Sequence, residues 1–185
     1  MNEQSILDRL LARDETALEA ARQAWGGPAL ALARRITGSA EDAEECLQDG
    51  LLALWDSVPP RRPESLAHYF TALVRNAALN CLRDQRRQKR GGGEADRALE
   101  ELEYCASARD DVEEAVAAKL LGERINAFLD SLPRRERELF LRRYYYMEDL
   151  QTLSAARGLS PRHAAVLLFR TRKKLKVFLE KEELL

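Results

Sequence analysis

Residues 132–176 read LPRRERELFLRRYYYMEDLQTLSAARGLSPRHAAVLLFRTRKKLK and contain two helical segments separated by a tight turn. The first segment is predicted at residues 149–156, and Gly158 stands where it must end in a left-handed residue, a conformation that glycine adopts at little cost. Ser160 and Pro161 are a strong start signal for the second segment, as its N-cap and its first helical residue. The stretch therefore predicts a helix-turn-helix.

The second predicted helix has an apolar inner face and a basic outer face. Its inner face is predicted to hold Ala164, Leu168, Thr171 and Leu175, which follow one another at steps of three and four residues. A helix of this kind in a major groove reads base edges with its first turns, and later cations contact phosphates. The residues predicted to face outward are Arg162, His163, Ala165, Val166, Phe169, Arg172 and Lys173, with Arg170 at the flank.

Charge is segregated along the chain, although the 185 residues have a formal net charge of only −1. Residues 132–176 hold twelve Lys and Arg against four Asp and Glu, and residues 59–90 hold eight against two. Residues 1–58 and 91–114 are acidic. Two separate basic blocks are expected where protein surfaces meet a polyanion, so nucleic acid is a candidate partner despite the near-neutral total.

A triple glycine, Gly91 to Gly93, lies where the chain changes from basic to acidic. Residues 86–111 have weak apolar periodicity and predict a linker with one short helical turn around residues 99–104. The flanking blocks are rich in Ala, Leu, Arg and Glu and have no alternating apolar run of strand length. We therefore predict an all-α chain with two small helical domains, residues 1–90 and 114–185, joined by a flexible acidic linker over 91–113.

The first block contains a helix that is predicted to begin after Ser39. Ser39 and Asp42 have the spacing of a capping box. The predicted core face consists of Ala43, Cys46, Leu47, Gly50, Leu51, Leu54 and Trp55. The acidic face, Glu41, Glu45, Gln48 and Asp49, lies largely elsewhere, and from this segment alone a solvated face is as good an interpretation as a binding surface.

A second helix of this block is predicted after Pro59 and Pro60, with Ser65 as its N-cap. Aromatic rings, amides and guanidinium groups follow a basic loop here. They suit unwound nucleic acid, whose bases stack on rings and offer their edges to hydrogen bonds. For the aromatic residues the alternative is core packing, which we expect for Phe70. The candidate nucleic-acid residues are Arg61, Arg62, Tyr69, Arg75, Asn76, Asn80, Arg83, Arg86 and Arg87.

Several classes of protein are disfavoured. Cys46, Cys81 and Cys105 are odd in number and far apart, and His68 and His163 are isolated, so neither a disulfide framework nor a zinc site is predicted. The chain has no Gly-rich phosphate loop and no nucleophile with a nearby base, so we predict no enzymatic activity and no cofactor. A signal peptide and a membrane span of roughly 18 apolar residues are also missing, which predicts a cytoplasmic protein without membrane insertion.

Taken together, the order and spacing of these blocks resemble a bacterial sigma factor of the extracytoplasmic-function type, within the sigma-70 family. The stretches ARRITGSAEDAEECLQDGLLALWDSVPP and YFTALVRNAALNCLRDQRR resemble region two. The stretches FLDSLPRRERELFLRRYYYMEDLQTLSAARGLSP and RTRKKLK resemble region four. The resemblance implies a promoter-specificity subunit that binds core RNA polymerase and promoter DNA, and it leaves open whether an anti-sigma factor also binds.

The resemblance also implies a role for each surface. The acidic face of Glu41, Glu45, Gln48 and Asp49 matches the surface that docks on the clamp coiled coil of the largest polymerase subunit. The loop 59–65 and the helix after it match the part that captures the unwound minus-ten strand, and the acidic linker matches a segment that threads toward the RNA exit path. The helix from Pro133 matches the surface that meets the polymerase flap. The last helix matches the reader of the minus-thirty-five element, through Arg162, His163, Arg170, Arg172 and Lys173.

The middle of the reading helix departs from the family. A basic or hydroxyl side chain followed by His or Tyr is usual there, whereas this chain has Ala165, Val166 and Phe169. Apolar groups contact thymine methyls but cannot make the bidentate hydrogen bonds that provide roughly 1–3 kcal/mol of base discrimination. The alternative is therefore a sigma-like regulator that docks on polymerase or another protein without reading upstream DNA. A dimeric helix-turn-helix repressor is disfavoured because no dimerising heptad run is apparent, and a nucleic-acid-processing enzyme because the histidines are isolated.

Overall fold

The structure, a computed structural model, describes residues 2–88, 93–103 and 114–182. For residues 86–88, 103 and 114–119 it describes the backbone only. Its regular elements within these ranges are helices, which confirms the predicted all-α class. Contacts between Cα atoms group the chain into two compact units, Met1–Gly93 and Glu94–Leu185. No helix in the described ranges is long and apolar enough to cross a membrane.

The first unit contains four helices, α1 (Glu3–Leu11), α2 (Thr16–Thr37), α3 (Ala40–Ser57) and α4 (Leu66–Gln88). Helices α2, α3 and α4 pack on one another, and α1 packs against α2 and α4. The predicted cap of α3 is confirmed, because the Asp42 N–H donates to Ser39 Oγ over 3.2 Å. Gly38 ends α2 with a φ of 72°, the left-handed conformation that favours glycine.

The core of the first unit follows the predicted apolar faces. In α3 the predicted residues are buried except for Trp55, which is half-buried. Helix α4 buries Leu66, Phe70, Val74, Ala78 and Leu82 at steps of four residues. Gly50 lets the two helices approach closely, because a Cβ atom on it would lie 2.4 Å from Val74 Cγ2 and 3.2 Å from the Val74 backbone.

The second unit contains α5 (Glu94–Glu103), α6 (Glu114–Ser131), α7 (Arg134–Phe140), α8 (Leu150–Ala155) and α9 (Pro161–Lys181). A π-helical turn, Leu141–Tyr145, continues α7. Helices α8 and α9 pack on each other and are joined by a short turn, at the place where the helix-turn-helix is predicted. Gly158 has a φ of 61°, and the His163 N–H donates to Ser160 Oγ over 3.2 Å. The four predicted inner residues of α9 are all buried.

Helix α5 lies inside the predicted linker, and it is longer than the short turn that we expected around residues 99–104. Ala95 and Ala98 on one face are buried, and Glu94 and Glu101 form ion pairs with Arg143 of the π-helical turn. The helix therefore belongs to the second unit. Its four apolar residues, two alanines and two leucines, are outnumbered by six charged ones, and this composition favoured the linker interpretation. Residues 104–113 of the predicted linker lie outside the described part of the chain.

Candidate functional site

The outer side of α3 carries the predicted acidic surface. Glu41, Glu45, Gln48 and Asp49 are all exposed, at the three- and four-residue steps that place side chains on one face of a helix. Leu52 lies on the same face, four residues after Gln48 and three after Asp49, with 59% of its surface exposed. We call these five residues the α3 face. Leu52 adds an exposed apolar contact to a surface that is otherwise polar and acidic.

Leu52 is a candidate that the sequence analysis missed. It also lines a shallow groove of about 460 Å³ between α2 and α3, together with Gln48, Trp55, Leu18 and Arg22. An ion pair between Arg22 and Glu44 joins the two helices beside this groove. The sequence did contain a signal for Leu52. Its helical spacing from Gln48 and Asp49 places it on the acidic face and not on the predicted core face.

A second surface runs along α4. Asn76, Asn80 and Arg83 are exposed and, at steps of four and three residues, share one face with the half-buried Tyr69. Arg83 Nη1 donates to Asn80 Oδ1 over 3.3 Å. Arg75 is half-buried and lies off this face, although we expected it beside Asn76. The side chains of Arg86 and Arg87 are outside the described part of α4.

A groove of about 610 Å³ lies between α3 and α4 and brings together two sets of predicted residues. Glu45 and Asp49 of the α3 face stand on one wall, and Asn76 and Asn80 stand on the other. Further carboxylates from both helices also line it. The surroundings of the two amides are therefore anionic, which repels phosphates at short range but still allows hydrogen bonds to uncharged base edges.

Two thiols, Cys46 and Cys81, face each other in the wall of the same groove. Burial, followed by the neighbouring thiol and the nearby carboxylates, raises the pKa of Cys46 to about 12. Burial also raises the pKa of Cys81. Both thiols are free, and among the residues that the structure describes no group of three or more His, Cys, Asp or Glu side chains is arranged to hold a metal ion. Cys105 lies outside the described residues.

The basic loop between α3 and α4 precedes the α4 surface. Arg61 and Arg62 are exposed, and the Arg61 N–H donates to the Ser57 carbonyl over 3.0 Å. The predicted cap of α4 is confirmed, because the His68 N–H donates to Ser65 Oγ over 3.4 Å. The loop guanidinium groups thus lie in solvent at the start of the helix that carries the candidate amides. Phe70 is buried in the core, as expected.

In the second unit, the outer face of α9 is mixed. Its basic and polar members, Arg162, His163, Arg170 and Lys173, are exposed as predicted. So are its apolar members, with Val166 40% and Phe169 53% exposed. An exposed phenylalanine on a cationic helix face fits either a thymine methyl or an apolar protein partner.

Arg172 does not face outward, and that part of the sequence prediction is wrong. Only 16% of its side chain is exposed. Its Nη1 atom donates to Glu101 Oε2 over 2.6 Å and contacts the Tyr144 hydroxyl. The partners come from α5 and from the π-helical turn, and neither was predicted to lie against α9. The guanidinium is therefore engaged by a carboxylate of its own unit.

Glu101 is the centre of this network. It also accepts from Arg143 Nη2 over 2.9 Å and from the Tyr144 hydroxyl over 2.7 Å. Arg143 is only 3% exposed, and burial raises the pKa of Tyr144. The sequence analysis missed Glu101 because it lies in the predicted linker. The sequence signal for Glu101 was its spacing of seven residues from Glu94, which places both carboxylates on one face of a helix. Glu94 also pairs with Arg143.

An apolar groove of about 690 Å³ lies between α9 and the end of α6. Its apolar lining comes from Phe128, Leu132, Pro133, Val177 and Phe178. The basic residues that line it are Arg170, Lys173, Lys174 and Lys181. Arg170 and Lys173, two of the predicted DNA-contacting residues, thus lie between the outer face of α9 and this groove. Pro133, which also lines the groove, begins the segment that is predicted to meet the polymerase flap.

Comparisons with known proteins bear mainly on the first unit. Residues 21–88, which comprise most of α2 together with α3 and α4, match the family model for sigma-70 region 2. This match confirms the predicted resemblance to the sigma-70 family. The chain is also similar to CnrH in a structure of CnrH in complex with the cytosolic domain of CnrY, with 20% identity, 97% of each chain covered and a TM-score of 0.41. No curated protein matches the sequence significantly.

Proposed function

We propose that this chain, whose residues 21–88 match the family model for sigma-70 region 2, is a promoter-specificity subunit of RNA polymerase of the sigma-70 family. In this proposal it binds the core enzyme, holds the unwound minus-ten strand and contacts the minus-thirty-five element, and it performs no chemistry itself. The match over residues 21–88 carries the proposal, since these residues hold both the α3 face and the polar face of α4.

Polymerase binding is assigned to the α3 face. Its carboxylates suit a basic partner surface, and Leu52 supplies the apolar anchor that a purely charged face lacks. A helical coiled coil with cationic side chains is the partner that the family resemblance implies. The carboxylates of the groove beside the α3 face support this assignment, because they favour a cationic partner.

Minus-ten capture is assigned to the loop cations and the α4 surface. Arg61 and Arg62 are exposed and suit the phosphate backbone. Asn76 and Asn80 face carboxylates, so they suit base edges better than phosphates. This division of labour predicts that the amides affect which sequence is used, whereas the arginines affect affinity for any sequence.

Minus-thirty-five contact is assigned to the exposed cations of α9. Arg162 and His163 stand in its first turn, where a helix in the major groove meets base edges. Arg170 and Lys173 follow and suit phosphates. Arg172 is not included in this proposal, because Glu101 and Tyr144 engage its guanidinium group.

Run-off transcription with the core polymerase of the same organism tests the proposal. We expect initiation at a defined start site that depends on the purified chain and on an intact minus-ten sequence. Replacement of Leu52 and Asp49 by Ala together is expected to reduce holoenzyme formation, while the exposed Asp8→Ala variant on α1 serves as the control. If the wild-type chain neither binds core enzyme nor supports initiation, the proposal is wrong.

A second candidate function is a sigma-like regulator that docks on polymerase without reading upstream DNA. The exposed Phe169 and the engagement of Arg172 favour it, since both reduce the polar contacts that α9 offers to base edges. Footprinting of the holoenzyme distinguishes the two. Upstream protection that disappears in Arg162→Ala and His163→Ala variants supports promoter reading, whereas transcription without such protection supports the second candidate.

A further inference from the structure

The connection between α3 and α4, residues 58–65, follows a helix end at which one carbonyl has no backbone donor four residues later. Within a helix, the Trp55 carbonyl would accept from the N–H group four residues later. That residue is Pro59, which has no N–H group. The last turn of α3 therefore needs a donor from outside the helix if this carbonyl is to be paired.

Arg13 supplies that donor. Its Nη1 atom donates to the Trp55 carbonyl over 2.7 Å, and its guanidinium lies 4.9 Å from the centroid of a Trp55 ring. Arg13 has a φ of 57°, in the left-handed region that residues other than glycine seldom adopt. This left-handed conformation ends α1, because the Asp14 N–H donates to the Arg9 carbonyl over 2.9 Å, and the side chain of the same residue closes the end of α3.

Glu3 performs the matching task at the other end of the connection. Its Oε1 atom accepts from the Ala67 N–H over 2.9 Å and from Ser65 Oγ over 3.3 Å. The hydrogen bond from Ala67 is the largest cause that lowers the pKa of this carboxylate. A carboxylate at the first turn of α4 is also favoured by the helix dipole. Glu3 therefore caps a helix that begins more than sixty residues later in the chain.

Helix α1 links these two contacts. Glu3 is its first residue, and Arg13 follows its end at Leu11. Ile6 and Leu10 of α1 are completely buried in the first unit, so the helix is anchored along its length. Both ends of the connection 58–65 are consequently held by one short, packed element. This element precedes residues 21–88, the part of the chain that matches the family model.

We propose that α1 is a brace for the connection between α3 and α4, with Glu3 and Arg13 as positioning residues that hold the loop guanidinium groups and the start of α4 in place for the minus-ten strand. The proposal rests on the function proposed above, because that function assigns the loop to promoter DNA. Neither residue touches the strand. Their effect is on where Arg61, Arg62 and the first turn of α4 lie.

A promoter library with reconstituted holoenzyme tests the brace. We expect Glu3→Ala and Arg13→Ala to reduce the enrichment of the preferred minus-ten sequence by about fivefold each, the ratio that corresponds to the loss of one helix cap. Glu3→Gln keeps an oxygen acceptor and is expected to retain the preference. Asp14→Ala is the matched control, since Asp14 Oδ1 accepts from the Thr16 N–H over 3.0 Å at the start of α2, away from the connection.

Hydrogen exchange of the free protein, followed by NMR, tests the geometry without transcription. We expect the Ala67 amide to exchange about fivefold faster in Glu3→Ala than in the wild type, and to keep its wild-type rate in Asp14→Ala. Unchanged exchange at Ala67 overturns the cap itself. Faster exchange with an unchanged promoter preference overturns the positioning role.

The two proposals fail in different ways. If the wild-type chain supports no promoter-dependent initiation, the proposed function fails, and with it the positioning role, while the exchange rate of Ala67 still decides whether Glu3 caps α4. If the wild type initiates normally and Glu3→Ala, Arg13→Ala and Asp14→Ala all select promoters as it does, only the brace proposal fails. A loss of preference in Asp14→Ala equal to that in Glu3→Ala also overturns it, because general destabilisation then explains both.

Discussion

At the level of single residues, Glu101 changes the interpretation of α9. Arg172 has the sequence position of a phosphate contact, yet a carboxylate and a phenol hold it on the side of α9. A guanidinium bound in this way contributes to the stability of its own domain. If Arg172 turned to bind a phosphate, Glu101 would lose one of its cationic partners, which costs free energy. Neighbouring cations of one helix thus serve different purposes.

Substitutions of Arg172 and Arg170 distinguish a contribution to stability from a contribution to DNA binding. We expect Arg172→Ala to lower the free energy of unfolding by about 1–3 kcal/mol, because it removes a hydrogen bond between charged groups that are largely withdrawn from water. Arg170→Ala, at an exposed position, should leave unfolding unchanged but weaken binding to upstream DNA. Urea unfolding and a DNA titration measure the two effects. The opposite pattern would contradict the assignment of Arg172 to stability.

Gly50 provides a second test at this scale. In Gly50→Ala the new Cβ would stand 2.4 Å from Val74 Cγ2, with the Val74 backbone 3.2 Å away, so α3 and α4 must move apart. We expect a loss of about 1–3 kcal/mol in the free energy of unfolding, as is typical of overpacking. Gly27→Ala is the control, because no atom lies within 4 Å of its added Cβ. Equal stabilities of the two variants in urea would contradict the close approach.

At the level of elements, local caps define where the helices begin. Ser39, Asp149 and Ser160 each accept from the N–H group three residues later. These contacts need only a few neighbouring residues, so they form wherever the sequence places them. The cap of α8 is especially informative, because α8 has only six residues and precedes the turn to α9.

The α8 cap predicts a pH dependence. Hydrogen bonds from the Thr152 hydroxyl and then from its N–H group lower the pKa of Asp149 below 3.8. A lowered pKa in the folded state stabilises the protein above 3.8, and this contribution is lost as the pH falls through the folded value. We expect Asp149→Asn, which keeps an acceptor without the charge, to be less stable than the wild type at neutral pH.

This difference should shrink in acid. Urea unfolding at neutral pH and at a series of pH values below 3.8 measures it. Thr152→Val removes the hydroxyl that is the largest cause of the lowered pKa of Asp149. The free energy of unfolding of Thr152→Val should therefore depend less on pH in this acidic range than that of the wild type. A stability difference between the wild type and Asp149→Asn that is constant with pH would show that the carboxylate charge does not matter at this cap.

At the level of the whole molecule, acidic and basic surfaces are separated from each other. They are distributed over two units that have separate cores. The first unit combines the acidic α3 face with the basic loop and Arg83 of α4, and the second presents the exposed cations Arg162, Arg170 and Lys173 on α9. Segregation of this kind lets one chain bind a basic protein surface and a polyanion at once. A near-neutral total charge is therefore compatible with strong, salt-sensitive binding to nucleic acid.

Salt dependence tests this view of the first unit. We expect the combined Ala variant of Arg83, Arg86 and Arg87 to bind a single-stranded minus-ten oligonucleotide with a shallower dependence on salt, since each lost phosphate contact lowers the slope of log K against log salt by about 0.7. Arg34→Ala, an exposed arginine on α2, is the control. Affinities of the free chain or holoenzyme at several salt concentrations give the slopes, and an unchanged slope in the combined variant contradicts the assignment.

Much of the fold was predictable from local patterns. The helical class, the core faces of α3 and α9, the caps at Ser39 and Ser160 and the left-handed Gly158 all depend on residues within about one helical turn of each other. The exposure of the four polar residues of the α3 face followed from the same periodicity, whereas Leu52 was not predicted. The individual roles assigned to these surfaces stay predictions, because they depend on partners outside the chain.

Contacts between distant parts of the chain were not predictable in this way. Arg172 binds a carboxylate 71 residues earlier, Glu3 caps a helix 64 residues later, and Arg13 reaches a carbonyl 42 residues away. Nothing in the local sequence distinguishes these side chains from ordinary surface charges, because their environment exists only after the helices have packed. Helix periodicity is a property of neighbours along the chain, whereas the use of each charged group depends on which element lies beside it in space.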